Sequence, residues 1–363
     1  MARLDSFLRL VVEQKASDLH FMAGNKPLIR HDGELVPIPF RQLTDTEARR
    51  FLMEILTEEQ RDILEREQEV DFAYDLRGVG RFRANVFHQS RGIGSVFRVI
   101  PEEVPELDDL DLPSAVNQIL DLPNGLVLFC GPTGCGKSTT QAALINELNK
   151  TRPLHIITIE DPIEFLHPHR TALMTQRQIG EHVASFGTAL KSALRESPDV
   201  VLVGEMRDLE TMKLALSAAE TGVLVFGTLH TGSAAKAVDR IVDAFPEGQG
   251  DQVRAVLSVI VRAVVSQRLV RNATEDGRTA AIELLFVTTG VANMIRENKA
   301  YQIDAMLQSV DPASGMQSLD THLLRLVRTG QVDAAEALKH AVYPAKFREI
   351  LDAEDIVRGP SSA

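Results

Sequence analysis

Residues 126–139 read LVLFCGPTGCGKST. Positions 126–130 form a short apolar, β-rich run. The next eight, Gly131-Pro-Thr-Gly-Cys-Gly136-Lys137-Ser138, fit the pattern G-x-x-x-x-G-K-[ST]. Glycines let the backbone turn tightly and aim N–H groups inward at phosphate oxygens. A helix starting near Lys137 adds the positive end of its dipole. Lys137 is then placed to reach β- and γ-phosphates, and Ser138, or Thr139 beside it, to ligate Mg2+. The expected binding loop is Gly131, Pro132, Thr133, Gly134, Cys135, Gly136, Lys137, Ser138 and Thr139, and its ligand ATP with Mg2+. A chance match in a Gly-rich turn would lack the strand before it and the helix after it.

Downstream, apolar runs at 155–159, 200–203 and 224–228, and a later one near 280–287, alternate with helical stretches. Continuous apolar strands between helices predict a parallel sheet covered on both faces, an α/β core over residues 114–289. Residues 290–357 read as helical and 358–363 as a polar tail. Upstream, residues 101–113 (PEEVPELDDLDLP) have the Pro-rich, acidic composition of a linker. Residues 1–100 read as a smaller α+β domain. Its helix over 4–16 is followed by strands near 28–30 and 35–38 joined by an Asp32-Gly33 turn. Next come helices from Thr44, with Thr44-x-x-Glu47 as a capping box, and over 58–67. Strands at 71–76, 80–88 and 94–100 imply an antiparallel sheet.

Hydrolysis needs carboxylates, and two strand ends supply them. Thr158-Ile-Glu160-Asp161-Pro-Ile-Glu164 closes one apolar run, and Val200-Val-Leu-Val-Gly204-Glu205 closes the next. Ligands of parallel sheets bind beyond the carboxyl ends of the strands. There one acid can polarise a water and the other hold Mg2+ through water. Surface acids capping strand ends are the plain alternative. The following strand ends in Gly227-Thr-Leu-His230-Thr231, where His230 could hydrogen-bond a γ-phosphate. Phosphoryl transfer is also helped by an added arginine. Arg81, Arg83 and Asn85 alternate along one strand and share a face, with Arg98 on the next strand. A solvated sheet face accounts for the same spacing.

Bulk properties narrow the class. The 363 residues suggest two or three domains, and the net charge of -12 argues against a general nucleic-acid binder. Cys130 and Cys135 are the two cysteines, too few and wrongly spaced for a zinc site. A reduced, cytoplasmic setting follows. The first residues, MARLDSFLRLVVEQKASD, read as an amphipathic helix and not a signal peptide. No stretch approaches the roughly 20 apolar residues of a membrane span.

In combination, 131–138, 158–164, Val203-Gly-Glu-Met-Arg-Asp-Leu-Glu-Thr211 and 227–231 resemble the Walker A, Asp box, Walker B and His box of secretion ATPases. Ala16-Ser-Asp-Leu-His20 and Gly80-Arg-Phe-Arg-Ala-Asn85 are similar to the N-terminal domain of one branch, the type IV pilus retraction (twitching motility, PilT-type) ATPases. The resemblance runs over residues 1–345. It implies a RecA-like P-loop NTPase core, a PAS-like N-terminal domain and a homohexameric ring. The ring would dock on an inner-membrane pilus platform protein from the cytoplasmic side. It further implies Glu164 as catalytic base, Glu205 as the Walker B acid near Mg2+, and trans-acting arginines among Arg81, Arg83 and Arg98.

Three positions depart from the family pattern. Val223 stands where His is frequent, Cys135 where Ser is common, and Ala292 where the C-terminal retraction motif has its first Arg, although Arg296 and Glu297 remain. Competing expectations are an assembly ATPase of a pilus or type II secretion system, a RecA-like nucleic-acid motor, and a non-hydrolysing scaffold. The short N-terminal domain and the paucity of cysteine disfavour the first. Lys137, Glu164 and Glu205 together disfavour the last.

Overall fold

Strands in the first part of the chain are half covered, whereas the central strands of the second part are covered on both faces. The computed structural model describes residues 2–31, 34–101, 103–274 and 277–354. The Asp32-Gly33 turn and the tail at 358–363 lie outside the described residues. Contacts divide the chain into two units, Met1–Glu103 with Glu164–Leu166, and Val104–Ile163 with His167–Ala363.

The first unit contains α1 (Asp5–Glu13), β1 (Asp18–Met22), β2 (Leu28–His31), β3 (Glu34–Pro37), α2 (Asp45–Met53), α3 (Glu58–Glu67), β4 (Glu69–Leu76), β5 (Gly80–Gln89) and β6 (Gly92–Ile100). Its PAS-like sheet has the order β3-β2-β1-β6-β5-β4 and is antiparallel throughout. Both α2 and α3 begin with full capping boxes, Thr44 with Glu47 and Thr57 with Gln60. Each satisfies two otherwise orphaned backbone donors. Leu19, Ala84 and Phe97 share a cross-strand row on the covered face and are fully buried with Phe21 and Phe82. On the opposite face the adjacent row holds Arg30, Asp18, Arg98 and Arg83 in successive strands.

The second unit contains β7 (Gly125–Cys130), α4 (Lys137–Thr151), β8 (His155–Glu160), β9 (Leu173–Gln178), α5 (Phe186–Ala193), β10 (Val200–Val203), α6 (Leu209–Glu220), β11 (Leu224–Leu229), α7 (Ala234–Asp243), α8 (Gly250–Ile260), β12 (Val261–Arg271) and β13 (Arg278–Phe286). Then follow α9 (Thr289–Arg296), α10 (Gln302–Leu307), α11 (Leu319–Arg328), α12 (Ala334–His340) and α13 (Pro344–Ala353). The sheet order is β13-β12-β7-β11-β10-β8-β9. Six strands run parallel, and β13 returns antiparallel to β12, which corrects the expectation of a wholly parallel sheet.

Side chains of the central strands alternate between two cores. Leu126, Leu128, Val201, Val203 and Val225 pack with α6, α7 and α8, whereas Val127, Phe129, Val200, Leu202 and Phe226 pack with α4. This double burial is why the strands read as unbroken apolar runs. At about 1.5–3 kcal/mol per fully buried large apolar side chain, these two cores hold the strand ends in place. Among the described residues no helix is long and apolar enough to cross a membrane.

Candidate active site

The chain passes from Cys130 directly into the glycine loop. Gly131, Gly134 and Gly136 have φ of 140°, 76° and 87°, conformations that L side chains avoid. Gly131 is constrained twice, because a Cβ there would lie 2.3 Å from the Gln267 carbonyl oxygen. Pro132, Thr133 and Gly134 form the exposed apex, while Cys135 and Lys137 are buried. The Lys137 Nζ donates to the carbonyl oxygens of Gly131 at 2.8 Å and Pro132 at 2.9 Å.

Helix α4 opens at Gly136 without a side-chain cap, whereas α2, α3, α5, α6 and α7 each have one. Its first-turn N–H groups and dipole are thus left open at the loop that carries Lys137, a donor set that suits a phosphate. Ser138 and Thr139 occupy that first turn, half buried. Two buried bonds fix the helix to the sheet: Thr140 Oγ1 donates to Gln267 Oε1 at 3.0 Å, and Thr228 Oγ1 to Gln141 Oε1 at 3.2 Å.

Parallel register brings the carboxyl ends of β7, β11, β10 and β8 to one edge, with Cys130 opposite Leu229, and Val203 opposite both Gly227 and Ile159. Beyond Val203 the turn is tight. The Gly204 N–H donates to the Ile159 carbonyl oxygen at 2.8 Å, and the Met206 N–H to that of Thr228 at 3.0 Å. Glu205 is thereby set against His230, with Oε1 and Nε2 3.0 Å apart. Arg207 Nε binds the same carboxylate oxygen. The hydrogen bond that Arg207 donates to Glu205 chiefly, with the charges of Glu205 and Asp161, pushes the Arg207 guanidinium above its ordinary value. Acids after the ends of β8 and β10 therefore both act on Arg207.

The Asp box divides. Glu160 accepts Thr158 Oγ1 at 2.6 Å and stays with β8. The Ile163 N–H donates to Gln178 Oε1 at 3.2 Å. Glu164, exposed, falls in the segment that groups with the first unit.

All three candidate arginines also lie in the first unit. Arg81 is buried and paired with Asp75 at 3.2 Å. Arg83 is exposed, directly across from Arg98. Arg98 Nε donates to Asp18 Oδ1 at 2.8 Å. Burial works to raise the Asp18 carboxyl, but hydrogen bonds from Ser17 and Arg98 outweigh it and hold the group below its usual range.

Two family departures acquire a location. Val223 is buried in the core at the start of β11, at the opposite end of that strand from His230. The six residues of β11 separate them, about 23 Å for seven steps at about 3.3 Å per residue. Ala292 sits half buried on α9. Sequence reasoning missed Gln267, whose carbonyl walls the loop and whose side chain holds Thr140. Its only signal was its place between Ser266 and Arg268, in a polar interruption of an otherwise apolar stretch. Arg207 was likewise given no role, although it follows Glu205 by two residues.

The family model described as "Type II/IV secretion system protein" matches residues 2–302. The chain is 48% identical to a twitching motility protein of Neisseria gonorrhoeae, over 93% of this chain and 90% of that one. It is 45% identical to the type IV pilus retraction ATPase PilT of Pseudomonas aeruginosa, over 95% and 99%. The crystal structure of the pilus retraction motor PilT with bound ADP superposes with a TM-score of 0.89 at 42% identity, covering 96% of this chain and 99% of that one.

Proposed function

The chain belongs to the Type II/IV secretion system protein family, and from that membership and the geometry of its phosphate loop we propose that it is an ATPase that retracts a type IV pilus. It is an ATP-hydrolysing enzyme with a RecA-like core. The observation that carries the site assignment is the Glu205–His230 pair at the carboxyl edge of strands β10 and β11, beside the strand that ends in the loop.

Backbone N–H groups of 131–136 and the start of α4 bind the phosphates, and Lys137 neutralises them. Magnesium, when bound, offsets charge on the transferring phosphoryl group; Ser138, and Glu205 through water, would hold it. Glu164 takes the proton of the attacking water. His230 senses the γ-phosphate and is kept in orientation by Glu205. Arg83 and Arg98, with Arg81 behind them, act on the nucleotide of a neighbouring subunit in a homohexamer. The ring works from the cytoplasmic side on an inner-membrane platform protein. A net charge of -12 offers nucleic acid no general attraction, which favours a protein load.

The test combines enzymology with retraction. Glu164→Gln in the purified full chain should bind ATP and hydrolyse it about 10²–10⁴-fold more slowly. Retained hydrolysis there, with loss in Glu205→Gln, would exchange the two carboxylate roles. Cells carrying Lys137→Ala in place of the native chain should extend pili and fail to retract them. Normal retraction in those cells would remove the pilus from the proposal.

A further inference from the structure

Beyond His230 the chain runs through Thr231 and Gly232 into α7, and this corner is held by acids from distant parts of the fold. Glu283 of β13 is 5% exposed. It pairs with Ser266 of β12, which pairs in turn with Cys130 at the root of the glycine loop. Glu283 Oε1 accepts the Ala234 N–H at 2.8 Å. Ala234 is the first residue of α7, so the carboxylate meets an otherwise orphaned donor at the positive end of the helix dipole. Ser233 caps the same turn by accepting the Lys236 N–H at 3.4 Å and also bonds Asp304 of α10.

A buried carboxylate with one backbone donor recovers only part of its desolvation cost. An apolar side chain would fill the position with less loss. Its hydrogen-bond partner Ala234 lies four residues beyond His230, and that placement gives the costly group a use.

We propose that Glu283 is a positioning residue for hydrolysis: it fixes the first turn of α7 and, through residues 231–233, the orientation in which His230 meets Glu205. The inference rests on His230 being part of the site. Charged and titratable groups facing Glu283 are Arg268 from β12, Asp304 from α10, Asp320 from α11 and the Cys130 thiol from β7. Burial, helped by the two aspartates, lifts its carboxyl to about 7 against the Ala234 hydrogen bond and the Arg268 charge. The ionised form is the stronger acceptor and the better complement to the dipole. Its hold on α7 therefore tightens as pH rises through neutrality.

The test uses the full-length assembled protein in steady-state ATPase assays between about pH 6 and 8.5. Glu283→Ala should lower kcat about 10- to 100-fold, as small misplacements at a distance do, with KM for ATP little changed. Combined with His230→Ala, it should add nothing beyond the His230→Ala loss, because both act through one side chain. Glu283→Gln keeps an amide oxygen for Ala234 and should retain most of kcat, while losing the rise in rate through neutrality expected of the native enzyme. If His230→Ala leaves kcat intact, the premise about His230 fails. If His230→Ala slows turnover but the two losses multiply, or Glu283→Ala has no effect, the positioning role is overturned. Should Glu283→Ala fail to fold, a Glu283→Gln rate profile identical to the native one overturns it equally.

Discussion

His230 Nε2 stands 3.0 Å from Glu205 Oε1, so the ends of two neighbouring strands share one polar pair. Glu205 is largely covered and His230 substantially exposed, with side-chain accessibilities of 17% and 42%. The acid is therefore the fixed partner and the imidazole the reporting one. Glu205→Ala and His230→Ala should each slow turnover, and the double variant should lose less than the product of the two. A double-mutant cycle on kcat measures this, and independent effects would show that the contact carries no coupling.

The glycine loop makes a prediction about stability. Gly131 and Gly134 both have positive φ, but a Cβ at Gly131 meets the Gln267 carbonyl oxygen at 2.3 Å while at Gly134 it meets open space. Gly134→Ala should cost about 1–2 kcal/mol from backbone conformation alone. Gly131→Ala must also displace β12 and should cost more, with lost nucleotide affinity. Thermal melts with and without ADP compare them, and equal costs would mean that the close approach to Gln267 is soft.

These contrasts also mark what the sequence could convey. The loop and the apolar strands were legible because double burial leaves unbroken apolar runs and the phosphate loop needs Gly at fixed offsets. Strand β12 was not legible. Helix α8 ends at Ile260 and β12 begins at Val261, so no turn residue separates them. An apolar run without punctuation does not reveal its period. Strand β9 is an edge strand with a polar sequence, LMTQRQ. Gln267 and Glu283 were hidden for a different reason, because their importance lies in register with strands far away in the chain. Val223 shows the converse. It stands where His is frequent in the family, yet the residue belongs to the core at the opposite end of β11 from His230.

The arginine row makes a prediction about assembly. Arg83 is exposed and faces Arg98 across the strands, while Arg98 is tied to the buried Asp18. Arg83→Ala should lower ATPase activity of the ring by up to about 10³-fold if it acts on a neighbour's phosphates. Mixing it with Lys137→Ala subunits should restore part of the activity, since some interfaces then join an intact arginine to an intact loop. Strictly additive behaviour in the mixture would place Arg83 outside the chemistry.

The buried Glu283 links stability to pH in a direction opposite to its use. Its folded-state carboxyl lies at about 7, above the 4.5 of an unperturbed glutamate. A raised value means that the folded form binds the proton more tightly than the unfolded form. Its contribution to stability is therefore fully present below about 4.5 and is lost as pH rises through about 7. Integrated over that shift, the native chain should lose about 3 kcal/mol relative to Glu283→Gln between about pH 4 and 8. Urea titrations of both proteins at several pH values measure the difference, and parallel curves would show that Glu283 ionises without cost. The ionisation that firms the α7 corner for His230 is the one that strains the fold, the pattern expected where a site is held by a group the core would otherwise exclude.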